Sequence, residues 1–207
     1  MENEILKISQ QLVDAGLYLH QKGWVPATSG NFSAQLSNGN IGITVSGKHK
    51  GKMVCDDIML LNQDGQPLPA TSSDKKPSAE TLLHVQIYKH FPEAKCILHP
   101  HTVNATILSR LYKNQIILQD YELLKAFPGI DTHECTVKVP VFKNDQNISR
   151  LAERVAEYLR AKEPVFGYLI EGHGFYTWGR SVDDCLKLVE AFEFLFQCEI
   201  MMEKFKP

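Results

Sequence analysis

The sequence has no run of apolar residues approaching the roughly 20 needed to cross a bilayer, no cluster of basic residues and no Cys-x-x-Cys pair. The first absence argues against a membrane-spanning protein. The start, Met1-Glu2-Asn3-Glu4, is acidic and leads into Lys7, Gln10, Gln11 and Asp14, which does not read as a secretory leader. With a net charge of -2 and no basic run, nothing offers an electrostatic footprint to nucleic acid or to an anionic membrane, so the expected partner is a small molecule. Five cysteines, an odd number, form no disulfide framework in 207 residues, and reduced thiols in the cytoplasm are expected. The chain also lacks internal repeats, low-complexity stretches and linkers. At 43% hydrophobic residues it is long enough to bury a full core, and one domain spanning 1–207 is expected.

Apolar residues from Ile5 to Leu19 recur at helical spacing before Gly23, predicting a helix over 3–21. Two hairpins follow: strands 32–36 and 41–45 around Asn38-Gly39, and strands 59–62 and 66–68 around Asp64-Gly65. Pro77, Ser78 and Glu80 open a helix that places a carboxylate in its first turn, where it would complement the helix dipole. A strand over 96–98 leads into a helix from about Thr102, and a short helix over 120–126 stops at Pro128-Gly129. Val137, Val139 and Val141 alternate in a strand over 136–142, and Ile148, Leu151, Val155 and Leu159 stripe a helix ending near Lys162. Strands over 165–170 and 175–178 precede a final helix introduced by Ser181 and Asp184. Hairpins interspersed with helices predict an α/β fold with a mostly antiparallel central sheet flanked by helices. Leu188, Phe194 and Leu195 make the final helix apolar on more than one side, as in a buried helix or a subunit contact.

His99-Pro100-His101 directly follows the run Cys96-Ile97-Leu98. Side chains two apart on an extended segment point the same way, and neutral imidazole is a common metal ligand. Pro100 cannot donate to a ladder, so the strand should end here with the pair exposed at its rim. His173, between Gly172 and Gly174, can turn toward a site its strand could not reach, although alone it reads equally well as a turn histidine without a role. Three histidines with an open fourth position are a catalytic zinc arrangement. Blander readings suit the other five: His20 and His90 as solvated helix-end groups, His84 on a helix face, His133 in a loop and His49 beside a lysine. Thr28-Ser29-Gly30-Asn31 and Thr44-Val45-Ser46-Gly47 bring backbone N–H groups and hydroxyls to strand ends, where they could cradle an anion or simply turn the chain; Lys48 or Lys50 could add charge. Glu122, by spacing alone, is a solvated helix residue.

Taken in order, Thr28-Ser29-Gly30-Asn31, Ser46-Gly47, Pro77-Ser78-Ala79-Glu80, His99-Pro100-His101 and Glu171-Gly172-His173-Gly174 resemble the class II sugar-phosphate aldolase family over nearly the whole chain. The resemblance implies a three-layer α-β-α fold, one zinc ion per subunit on His99, His101 and His173, and a cyclic homotetramer with active sites near subunit boundaries. It maps the phosphate of a ketose phosphate substrate to Ser29, Gly30, Asn31, Ser46, Gly47 and Lys50. Ser46-Gly47-x-x-Lys50, Tyr121-Glu122 with Lys125, and the run Gly174 to Gly179 are most similar to the dehydratase members. By that resemblance Glu122 is the main proton shuttle, with Glu80 a metal ligand, a base or an orienter. Two departures stand out: Ser78-Ala79 replaces the paired serines common among the aldolases, and Glu80 stands where some dehydratases carry cysteine. The alternatives within the resemblance are an aldolase, an epimerase, and a non-catalytic module like the adducin head.

Overall fold

The computed structural model describes residues 2–69, 75–160 and 164–205. A first helix, α1 (Glu2–Gln21), leads into strands β1 (Asn31–Gln35), β2 (Ile41–Thr44) and β3 (Ile58–Leu61). Helix α2 (Thr81–His90), strand β4 (Cys96–His99), helix α3 (Val103–Leu111) and strand β5 (Gln115–Gln119) follow. The chain closes with β6 (Thr136–Phe142), α4 (Ile148–Leu159), β7 (Gly167–Ile170), β8 (Phe175–Gly179) and α5 (Val182–Glu203). The sheet order is β3-β2-β1-β4-β8-β7-β6-β5. Among the described residues every neighbouring pair is antiparallel except β6 with β7, which α4 connects as a parallel crossover.

Strict alternation in the central strands divides the core between the two faces of the sheet. Cys96, Leu98, Leu169 and Phe175 point to the face covered by α1, α3 and α5. Ile97, Tyr168, Ile170, Tyr176 and Trp178 point to the face covered by α2 and α4. Both faces are sealed, giving the three-layer α-β-α architecture that the resemblance implied. Ser181 caps α5 as the sequence indicates, its hydroxyl accepting the Asp184 N–H at 3.1 Å. Leu188 and Leu195 on that helix are buried, whereas Phe194 is exposed.

The register gathers the ends that matter. Asn31 opens β1 directly opposite His99 at the end of β4, and β8 begins beside them at Phe175. The ends of β2, β6 and β7 lie at the same edge of the sheet, since Ser33 pairs with Ile43, and Phe142 with Ile170. Gln119 pairs with Thr136, so the segment following β5 leaves from the opposite edge.

Two local expectations need correction, a third lies outside the described residues, and one strand is missed. The Asp64-Gly65 turn forms, with the Gly65 N–H on the Asn62 carbonyl at 3.0 Å, but its second arm makes only a single bridge, Leu61 to Pro67. Pro67 and Pro69 lack the N–H groups a ladder needs. The predicted helix over 120–126 is a short 3-10 turn over Glu122–Ala126, preceded by Asp120 at φ 61°. Helix α4 is assigned to Leu159; the expected end near Lys162 lies outside the described residues. Strand β5 is not predicted from the sequence, because Ile116-Ile117-Leu118 is a short apolar run between glutamines, too brief to show a period.

Ile116 and Leu118 of β5 are buried in the core while Gln115 and Gln119 are exposed. Leu118→Ala should therefore cost about 2–5 kcal/mol, and Gln119→Ala should stay within about 0.5 kcal/mol of wild type. Chemical denaturation of both variants checks the pair.

Candidate metal centre and substrate cavity

One ligand atom each from Glu80, His99, His101 and His173 come together within 4.8 Å of one another. The Nε2 atoms of His99 and His101 are 2.9 Å apart, His99 Nε2 is 3.3 Å from Glu80 Oε2, and His173 Nε2 is 3.5 Å from Glu80 Oε1. A tetrahedral shell at about 2.0–2.1 Å sets neighbouring ligand atoms about 3.3–3.4 Å apart, so these separations suit one small divalent cation. Three imidazoles and one carboxylate also form a borderline donor set of the kind such ions take.

The imidazoles are held in the state that ligates. His99 Nδ1–H donates to the Phe175 carbonyl at 2.8 Å, and since a carbonyl only accepts, Nε2 is left as the bare nitrogen facing the cluster. Burial first, and neighbouring imidazoles second, push His99 well below the ordinary histidine range and His101 down to about 2. His173 Nδ1 is buried without a hydrogen-bond partner among the described residues. Contrary to the expected exposed rim, His99 is fully buried, because β4 lies in mid-sheet between β1 and β8 and its last residue stacks on Tyr176 with ring centroids 3.9 Å apart.

Glu80 also departs from expectation. It is the N-cap residue of α2, not part of its first turn, and its side chain leaves the helix end uncapped. Oε2 instead accepts from Asn31 Nδ2 at 2.7 Å and from the Tyr176 hydroxyl at 3.0 Å. Behind it runs a chain whose donors all point one way. Tyr88 donates to Ser33 Oγ at 2.8 Å, Ser33 donates to His84 Nδ1 at 2.7 Å, and His84 Nε2–H donates to Asn31 Oδ1, leaving the Asn31 amide to donate to Glu80. This assignment of the proton on His84 follows from the partners. Burial lowers His84 to about 4, so it remains neutral. Sequence alone makes His84 an ordinary helix-face residue; the usable signal is its spacing of four from Glu80, which puts both on one side of α2.

The cluster opens into a cavity of about 280 Å³ lined by Thr28, Gly30, Asn31, Ser46, Gly47, Lys50, Ser78, Glu80, His101, His173 and the loop residues Asn144, Asp145 and Gln146. Gly30 and Gly47 have φ of 76° and 74°, a conformation that favours glycine. Lys50 is almost fully buried, and desolvation lowers it to about 8. Its Nζ donates to the carbonyls of Thr28 at 3.1 Å and Lys48 at 2.8 Å, using two of three N–H groups. Lys48 is committed elsewhere, to Asp57 at 3.0 Å. Five of the six expected phosphate residues line the cavity. Ser29 does not: its hydroxyl is tied to the Pro26 carbonyl at 2.6 Å, and Thr28 takes its place. Asn31 lines the wall, but its amide is spent on Glu80 and His84. The sequence marks 144–146 only as a polar turn between a strand and a helix and gives no sign that it lines the cavity.

Glu122 is not brought to this cavity within its own chain. It is exposed beyond the opposite edge of the sheet, 2.6 Å from Lys125 Nζ, which holds its carboxyl below the usual range.

Fold and site together define a three-layer class II aldolase architecture around a divalent-metal cluster. The chain belongs to the class II aldolase and adducin N-terminal domain family, whose sequence profile matches residues 10–200. It is 55% identical over 196 residues to the methylthioribulose-1-phosphate dehydratase of Methylococcus capsulatus (strain ATCC 33009 / NCIMB 11132 / Bath), covering 95% of this chain and 94% of that protein. To the methylthioribulose-1-phosphate dehydratase of Pseudomonas paraeruginosa (strain DSM 24068 / PA7) it is 53% identical over 195 residues, covering 94% of each. The L-fuculose-1-phosphate aldolase of Thermus thermophilus shares the fold, with a TM-score of 0.75 at 23% identity over 97% of each chain. No helix among the described residues is long and apolar enough to cross a membrane.

Gly174 makes the cluster's tight packing possible: a Cβ there would lie 2.3 Å from the Pro100 carbonyl oxygen and 3.1 Å from the rings of both His99 and His101. Backbone cannot yield as a flexible side chain would. Gly174→Ala should destabilise the fold by about 1–3 kcal/mol and reduce divalent-metal uptake, measured by denaturation and by metal analysis of the same preparation.

Proposed function

We propose that this chain is a zinc-dependent hydro-lyase that dehydrates 5-methylthioribulose 1-phosphate to 2,3-diketo-5-methylthiopentyl 1-phosphate in methionine salvage, working in the cytoplasm as a homotetramer. The observation that carries the reading is the opening of one cavity onto both the cluster of three histidines with Glu80 and the buried cation Lys50. Identity of 53–55% to dehydratases over nearly the full length favours water loss over aldol cleavage, since the likeness to aldolases is one of fold.

His99, His101 and His173 would hold the zinc ion, with Glu80 as a fourth ligand or as orienter, and the ion would supply Lewis acidity toward the substrate's ketone and neighbouring hydroxyl oxygens. The turns at Gly30 and Ser46-Gly47 and the remaining Lys50 N–H bind the phosphate, fixing C1 at one end of the cavity. Asn31 and Tyr176 keep Glu80 oriented. The reaction removes the proton from C3, protonates the C4 hydroxyl as it departs as water, and lets the resulting enol become the second ketone at C3. A single carboxylate that takes the first proton and gives it to the leaving oxygen suffices. Glu122 is that shuttle, supplied by a neighbouring subunit, because its own chain carries it beyond the sheet edge away from the cavity.

Purified protein given 5-methylthioribulose 1-phosphate should form the diketone; dihydroxyacetone phosphate with an aldehyde would identify an aldolase, and absence of both metal and turnover a binding module. Glu122→Gln should lose about 10²- to 10⁴-fold in kcat with zinc retained. Reassembling Glu122→Gln subunits with His99→Ala subunits should recover activity that neither has alone, and no recovery would place the shuttle elsewhere.

Lys50 also gives a pH signature. Its ammonium form binds the phosphate, so affinity is lost as pH rises through about 8. The KM should climb above that pH, and Lys50→Met should remove the climb while raising KM at pH 7 by about 10- to 100-fold, the size of a charge-assisted hydrogen bond.

A further inference from the structure

Glu193 lies in mid-α5, outside the cavity, yet it is a carboxylate only 5% exposed. Burial pushes it up to about 7, while contacts to Thr102 and Asn104 pull the other way. An apolar residue would fill this place at less cost, which directs attention to what the carboxylate holds. Its Oε1 accepts from Asn104 Nδ2 at 2.6 Å, in the first turn of α3.

Helix α3 is tied to the cluster at both sides. Thr102, its N-cap, directly follows His101, and its hydroxyl accepts the Ala105 N–H at 3.1 Å. Farther along, the Thr106 hydroxyl shares its one proton between the Thr102 carbonyl at 2.8 Å and the His173 carbonyl at 3.0 Å, and Ser109 Oγ accepts the Gly172 N–H at 2.9 Å. The turn carrying His173 therefore hangs on α3, and the chain leaving His101 enters it.

We infer that Glu193 is a positioning residue for the metal centre, acting through the first turn of α3 to fix the separation of His101 and His173. The inference rests on reading those two histidines as ligands. Groups that orient ligands typically govern metal affinity by about 10- to 100-fold, and Glu193 is placed to do so from a helix that supplies no ligand itself.

The test compares Glu193→Gln, Glu193→Leu and Glu193→Ala in the full chain, using zinc affinity by chelator competition and the visible spectrum of the cobalt-substituted protein. Gln retains an acceptor for Asn104 and should stay near wild type in both. Leu fills the space but abandons Asn104, and should weaken zinc binding by about 10- to 100-fold and alter the cobalt bands even where thermal stability is unchanged. Ala should do the same if it folds. Leu with wild-type zinc affinity and an unaltered cobalt spectrum would overturn the inference alone. Wild-type protein that takes up no zinc would overturn both it and the metal reading beneath it.

Discussion

The pairing of Asn31 with His99 across β1 and β4 is the constraint on which the site depends. It sets an amide beside an imidazole of the candidate metal centre at the end of the sheet, and the amide can then bridge Glu80 to His84. A slip of β1 by one residue would turn Asn31 to the other face, taking its amide away from Glu80 and His99. The slip is opposed by the core itself, since Phe32 and Ala34 would leave the apolar layer they share with Leu98. Packing far larger than any single polar contact thus holds a few polar atoms in place.

A buried arrangement of this kind is stable only if its polar members are partnered. The run from Tyr88 through Ser33, His84 and Asn31 to Glu80 meets that demand with neutral groups up to the final carboxylate. Its direction is set by Asn31, whose oxygen and amide nitrogen face opposite partners. Because the chain ends on Glu80, the carboxylate is kept as an acceptor toward the tyrosine and the amide, with its remaining lone pairs turned to the histidines.

Much of this is legible in the sequence, for identifiable reasons. Strands with a clean period of two, such as 136–142, and hairpins with Asn-Gly at the turn declare themselves, and Pro100 marks the end of the strand before it. The ordered motifs bring His173 into the set although it lies far along the chain from the other two. What escapes are features that need the third dimension: the burial of His99 in mid-sheet, the spending of the Asn31 amide, the diversion of Ser29 to Pro26, and the role of His84 behind the carboxylate. Strand β5 escapes for the opposite reason, being too short to display any pattern. The resemblance assigns Glu122, but only the topology puts it beyond the far edge of its own sheet.

The parallel pair, β6 with β7, has a consequence for how such a protein can change over time. Both strands finish at the cavity, so the 144–146 loop and the turn bearing His173 are neighbours, yet of the two the latter alone contributes to the histidine cluster. The 144–146 loop ends in the Asn147 cap of α4, is braced by Asp145 against Arg150 at 2.6 Å, and hangs outside the β1-β4-β8 frame. Insertions or substitutions there can reshape that wall of the cavity while the histidine cluster and the turns at Gly30 and Gly47 stay where they are. The architecture separates a wall of the cavity that the sheet fixes from one that the chain can vary.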